Sequence, residues 1–182
     1  LDVAGTARLR NVPNGNAEND KVLVIDNNGV VKKSSLPPSP SFALYATSNN
    51  SVWRNADGVA RALDLANTRK IYTDYIERVN ANTFRVEKSG VYTIEVWAKF
   101  ANIPVAGDGP RTGCTLRVSY GGDGVQLLGN RWAESSGTAN VTKTVILNAG
   151  QLISTQTRCN RTGNQQYQTT PGSSIFITYL PL

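Results

Sequence analysis

Histidine and methionine are both missing from this chain. Without histidine there is neither the commonest general base nor the commonest transition-metal ligand, which excludes Ser-His-Asp and Cys-His nucleophilic sites. Without methionine the ordinary initiator residue is missing too, and the chain reads as a fragment or a processed product. Cysteine is scarce: Cys114 and Cys159 have no CxxC spacing and no histidine partner, so they form neither a zinc site nor a redox motif. They are either a disulfide or two buried thiols. No apolar run approaches the ~20 residues that a helix needs to span a bilayer, and no signal peptide opens the chain, so membrane insertion is not expected.

Charge is also low, at 18% of residues, while 16 glycines mark many turns and 40% of residues are hydrophobic. Over 182 residues this suffices for one buried core plus a short appendage, and it argues for β-structure over disorder. The formal charge of +6 is spread thinly, the longest basic runs being the pairs Lys32-Lys33 and Arg69-Lys70. Phosphate tracking needs a clustered basic stripe, so nucleic acid is not expected as a partner.

Period-two patterning dominates. Leu1, Val3, Ala7 and Leu9 alternate with polar residues, which predicts a strand over the first ten positions. Lys21 to Ile25 and Val30 to Lys33 flank Asp26-Asn27-Asn28-Gly29, a hairpin with turn residues at its tip. Residues 1–36 hold too few large apolar groups for a core of their own and predict a segment that packs against copies of itself. Pro37-Pro38-Ser39-Pro40 then forces an extended path. The expected organisation is therefore a β-stalk over 1–36, a proline-rich hinge over 37–41, and a head over 42–182.

Within the head, strands are expected over 42–47, 69–79, 83–87, 90–100, 114–120, 124–132, 138–147, 151–158 and 173–180. Residues 57–67 come nearest to a helical period and predict one turn or two. Many short strands divided by turns indicate a sandwich or a barrel.

The order Ser41-Phe42-Ala43-Leu44-Tyr45, Lys70-Ile71-Tyr72-Thr73-Asp74-Tyr75, Thr83-Phe84-Arg85-Val86, Ser89-Gly90-Val91-Tyr92-Thr93-Ile94-Glu95-Val96, Gly150-Gln151-Leu152-Ile153-Ser154 and Ser173-Ser174-Ile175-Phe176-Ile177-Thr178-Tyr179-Leu180-Pro181 resembles the jelly roll of tumour necrosis factor and complement-q-type heads. The resemblance implies an all-β, antiparallel jelly-roll sandwich and a homotrimer with apolar and aromatic side chains at its axis. For each of Tyr92, Trp97, Phe176 and Tyr179 ordinary core packing is the expected role, a place at that axis being the alternative. The segment from Leu1-Asp2-Val3 through Val30-Val31-Lys32 is similar to stalk segments of bacteriophage tail-fibre and related appendage proteins.

Enzymatic alternatives find little support. Gly107-Asp108-Gly109 and Gly121-Gly122-Asp123-Gly124 match no phosphate-binding pattern and read as turns. Asp74 and Glu77 would face opposite sides of one strand, and Asp108, Asp123 and Glu134 sit in or beside loops, so no catalytic carboxylate pair is apparent. No cofactor motif and no metal-ligand set is present, and the chain is not expected to be an enzyme.

In a jelly roll of this kind, alternate connections gather at the end opposite the termini. That distal end would receive 48–68, 101–113, 132–138 and 159–172, which are long, whereas 80–82, 88–89, 121–123 and 148–150 are short. The long loops carry Trp53, Arg54, Asp108, Asn164 and Gln168 beside the candidate ligand-binding set Arg111, Arg131, Trp132, Arg161, Gln165, Gln166 and Tyr167. Aromatic rings with amides and guanidinium groups suit sugars or polar epitopes. On the resemblance, Cys114 and Cys159 fall on neighbouring antiparallel strands at the distal end, making them a disulfide candidate. Such a bond would contribute roughly 3 to 4 kcal/mol in the chain-entropy model; assembly in a bacterial cytoplasm would instead leave the thiols reduced.

The expected function is the trimeric distal domain of a viral (phage) or bacterial appendage fibre or spike. It would bind a host cell-surface receptor, glycan or protein, by multivalent contacts. The stalk would join other particle proteins, and the location would be the virion surface or the extracellular space. A structural virion or baseplate component and a carbohydrate-active enzyme are the alternatives. Asn49, Asn140 and Asn160 open glycosylation sequons that matter only in a eukaryotic producer.

Overall fold

The computed structural model describes residues 22–25, 31–34, 40–102, 113–121, 124–131, 136–160 and 165–182, with the backbone alone at 22–25, 31–34, 124–131 and 160. The chain divides into two compact units, Leu1–Pro38 and Ser39–Leu182. In the first, β1 (Val22–Ile25) pairs antiparallel with β2 (Val31–Ser34), Ile25 standing opposite Val31. This is the hairpin that Asp26-Asn27-Asn28-Gly29 predicts. The strand expected over residues 1–10 lies outside the described residues.

The second unit continues with β3 (Ser41–Thr47), β4 (Val52–Asn55), β5 (Arg61–Ala62), β6 (Asn67–Ile71), β7 (Ile76–Asn80), β8 (Thr83–Val86) and β9 (Gly90–Ala101). It ends with β10 (Gly113–Tyr120), β11 (Gly124–Arg131), β12 (Gly137–Leu147), β13 (Leu152–Asn160), β14 (Gln166–Thr169) and β15 (Ser174–Leu180). No helix occurs among the described residues, so the helical turn expected in 57–67 is replaced by β5 and its flanking loops.

Two sheets result. One runs β11-β10-β13-β8-β7, with β5 also pairing β13; the other runs β4-β14-β9-β15-β3-β6, with β12 on the remaining edge of β9. The long strand β9 organises the second sheet. Its Val91 to Trp97 pair with β15, and its Phe100 and Ala101 pair with β14, so β15 and β14 follow one another along a single edge. In the same way β3 lies against β15 and β4 against β14. This pairing is the antiparallel jelly roll expected from the sequence.

Alternation explains the strands. In β9, Tyr92, Ile94, Val96, Ala98 and Phe100 are buried while their neighbours are not, and in β15 Ile175, Ile177 and Tyr179 are buried. They meet Phe84, Val86, Leu116, Val118 and Ile153 in one apolar cluster. Each such aliphatic side chain contributes on the order of 2 kcal/mol when fully buried. One end is closed by tyrosines. Tyr75 stacks on Tyr179 at 4.5 Å, Tyr92 tilts against Tyr179 at 5.2 Å, and the Tyr92 hydroxyl donates to Lys88 O at 2.5 Å. Burial pushes that hydroxyl's pKa up, because the phenolate would leave water.

Two expectations are corrected. The strand expected over 69–79 is broken: Tyr72 N–H bonds to Ala43 O, the N–H groups of Tyr75 and Ile76 return to Tyr72 O, and the chain crosses from one sheet to the other. The distal segments 48–68 and 159–172 are not plain loops, since they contain β4, β5 and β14.

Candidate functional site

The outward face of the sheet built on β9 is unusual for its rings. Tyr45, Trp97, Phe176 and Tyr72 are 38% to 42% exposed although three of them lie on strands. A bulge near Ala43 in β3 lets Phe42 and Tyr45 share this face: Tyr45 opposes Phe176, and Phe42 opposes Thr178. The rings form a connected cluster, Phe42 lying 5.3 Å from Phe176 and 5.8 Å from Tyr72, and Tyr45 6.5 Å from Phe176. The Lys70 ammonium covers part of its rim, 5.0 Å from the Tyr72 centroid and 5.5 Å from that of Phe42. Trp97 donates its indole N–H to Glu95 at 2.5 Å, and Thr93 and Thr144 pair across strands at 2.9 Å. Of the four tyrosine, tryptophan and phenylalanine candidates for an axis, Trp97 and Phe176 are on this face, whereas Tyr92 and Tyr179 are buried.

At the distal end, the segments between strands are tied together by their backbones. Ser48 N–H bonds to Ser173 O, Gly172 N–H to Ser48 O, Ala56 N–H to Gln165 O, and Gly58 N–H to Cys159 O. Cys114 and Cys159 stand directly opposite one another on β10 and β13 and are joined as a disulfide, 4.0 Å apart at Cα. The Asp57 carboxylate accepts two bonds from Arg61 at 2.6 Å, and this guanidinium holds it well below the ordinary carboxylate pKa range. A shallow polar groove of about 270 Å³ is lined by Ser48, Asn49, Asn50, Asp64, Ala66 and Asn67.

The candidate ligand-binding residues fall in different places. Arg111, Trp132 and Arg161 lie outside the described residues. The Arg131 backbone ends β11 opposite Gly113, which also faces Asn160. Gln165 and Gln166 are exposed on or beside β14, in the other sheet from Arg131. Tyr167 must be corrected as a contact residue. It is 0% exposed, tilts against Phe100 at 6.1 Å, and shares a 3.1 Å hydrogen bond with the Thr157 hydroxyl, so its ring belongs to the core. Burial raises its pKa, the Thr157 bond opposing the shift.

Of the carboxylates weighed as a hydrolytic pair, Asp74 and Glu77 are among the described residues. Glu77 forms an ion pair with Arg85, which also bonds Glu87 at 2.7 Å, and Asp74 lies exposed in the turn before β7. Asp108, Asp123 and Glu134 lie outside the described residues.

No protein-family model matches the chain, and no curated protein matches it. Solved structures do match. Murine APRIL crystallised at pH 8.5 aligns with a TM-score of 0.51 and 11% identity over 76% of this chain and 98% of that one. The pH 5.0 crystal form of murine APRIL gives 0.51 and 11% over 77% and 100%. Eiger TNF from S. frugiperda gives 0.49 and 16% over 78% and 94%. At these identities the likeness is one of fold: the head of this chain is an antiparallel jelly roll of the tumour necrosis factor type.

Proposed function

We propose that the chain forms the trimeric, receptor-binding end of a surface appendage, of the viral (phage) or bacterial fibre kind. The observation that carries the reading is the exposed ring cluster of Phe42, Tyr45, Tyr72 and Phe176 on one sheet face of a tumour-necrosis-factor-type jelly roll. A contiguous aromatic face of that kind is a protein contact surface, and closed symmetry lets copies of one chain cover it. The fibre assignment rests on the likeness of the amino-terminal segment to appendage stalks. Host recognition then falls to the distal end, where several weak sites act together.

Light scattering on the native protein tests the assembly. The expected mass is three times 19.6 kDa, falling to a single chain in a Tyr45→Asp/Phe176→Asp variant that keeps its β-sheet circular dichroism. A monomeric native protein would overturn the trimer. Attachment of fluorescently labelled protein to intact bacterial cells tests recognition, and absence of attachment across a broad strain panel would overturn it.

A further inference from the structure

We infer that the outward face of the β4–β14 pair is a saccharide platform. The Trp53 indole is the stacking surface, and Asn55, Asn102, Gln166 and Gln168 are the hydrogen-bonding groups. The inference rests on the receptor-binding reading and names the chemistry of the ligand.

Trp53 is 51% exposed, more than any other aromatic side chain among the described residues. Its indole has no ring contact and no hydrogen bond among those residues, unlike that of Trp97, which is spent on Glu95. Register places the amides around it. Trp53 stands opposite Gln168, Asn55 opposite Gln166, and Gln168 also opposite Ala101, next to Asn102. Directly opposed side chains lie about 5 Å apart at Cβ, close enough for one pyranose ring to touch both.

The amides are held in pairs. Gln166 Nε2 donates to Asn55 Oδ1 at 3.2 Å, and Asn102 Nδ2 donates to Gln168 Oε1 at 3.1 Å. Each pair occupies one donor group and one acceptor, leaving the Asn55 and Gln168 amide nitrogens to donate and the Gln166 and Asn102 carbonyl oxygens to accept. A sugar hydroxyl both donates and accepts, so this balanced set fits it. Asn102 is the one non-glycine residue with positive φ (51°) among those described, and its bond to Gln168 ties it in that left-handed conformation.

Charge selects among sugars. The outward positions of the pair, Trp53, Asn55, Gln166 and Gln168, carry none, while Arg54 turns away and donates to Ala62 O at 3.3 Å. A ring with an apolar face stacks on the indole while its hydroxyls meet uncharged amides, which describes a neutral hexose or N-acetylhexosamine.

Saturation-transfer NMR of the intact protein with neutral oligosaccharides containing glucose, galactose, mannose or N-acetylglucosamine tests the platform. At least one is expected to bind. Trp53→Ala is expected to weaken it about tenfold or more, with Trp53→Phe and Gln168→Ala losing less. Native mass is measured alongside: a drop in Trp53→Phe would mark the face as an interface between copies and overturn the platform. Binding that survives both Trp53→Ala and Gln168→Ala overturns it too. So does failure of every saccharide to bind while labelled protein still attaches to cells, which leaves the receptor reading standing. Saccharide binding without cell attachment supports the platform and overturns the wider reading instead.

Discussion

The ring of Tyr179 lies directly against Gly90, leaving no room for a β-carbon at that position. Gly90 opens β9 and Tyr179 sits near the end of β15, so the contact joins two neighbouring strands at the closed end of the core. Gly90→Ala would push Tyr179 away from Tyr75 and Tyr92. The expected loss is about 1 to 3 kcal/mol, as for other overpacked sites, read from the midpoint of chemical denaturation. A midpoint equal to that of the unaltered protein would show that the tyrosine stack relaxes freely.

Tyr167 serves stability. Tyr167→Phe removes the hydroxyl that pairs with Thr157 and leaves the threonine oxygen buried without that partner. The expected cost is about 1 kcal/mol. Saccharide or cell binding by the folded variant is expected to stay within twofold of the unaltered protein, and a larger loss would return Tyr167 to the recognition surface.

The disulfide holds two strands of the head together next to the distal segments. Replacing Cys114 and Cys159 by alanine is expected to lower stability by about 3 to 4 kcal/mol. Both cysteines are fully buried, so the folded protein should resist mild reductants and alkylating agents until it is first unfolded. Mass shifts after treatment with a mild reductant and an alkylating agent together, under native and under denaturing conditions, check this: labelling is expected only after unfolding, and equal labelling of the folded protein would contradict it.

Acid should leave the Asp57–Arg61 pair intact for longer than an ordinary exposed carboxylate would. The folded-state pKa of Asp57 is depressed, chiefly by the Arg61 hydrogen bonds. Its stabilising effect is therefore present above the ordinary carboxylate pKa and is lost only as pH falls towards the depressed value. NMR titration of the Asp57 side-chain carboxyl should show no midpoint in the usual carboxylate range, and Asp57→Asn should abolish any acid-dependent shift of the Val59 amide, which donates to the carboxylate at 3.0 Å. A normal midpoint would mean that the ion pair does not persist in solution.

The long strands were legible because burial on one face writes itself into the sequence. Val91 to Ala98 and Ser174 to Leu180 alternate, and the structure buries every second residue. β6 and β7 read as one strand because neither glycine nor proline interrupts Arg69 to Val79; the break comes from Tyr72 N–H reaching Ala43 O, a partner distant in sequence. β4 and β5 are too short and too polar for periodicity to reveal. Only Gln166-Tyr167-Gln168-Thr169 carried a usable signal, an alternation that buries Tyr167 and Thr169 and turns both glutamines outward. Trp53 and Gln168 were visible as loop residues, but their opposition depends on the β4–β14 register, as the proximity of Asn102 depends on the pairing of β14 with β9. Local spacing contains neither.

The broken strand lines have an evolutionary consequence. β3 gives way to β4, and β15 to β14, at the same level of the sheet, where Ser48 and Gly172–Ser173 exchange backbone bonds; β9 and its neighbour β12 run unbroken through that level. The sheet thus has a seam. Residues beyond it can be lengthened or exchanged while the alternating strands below keep their register, so variation there leaves the core in place.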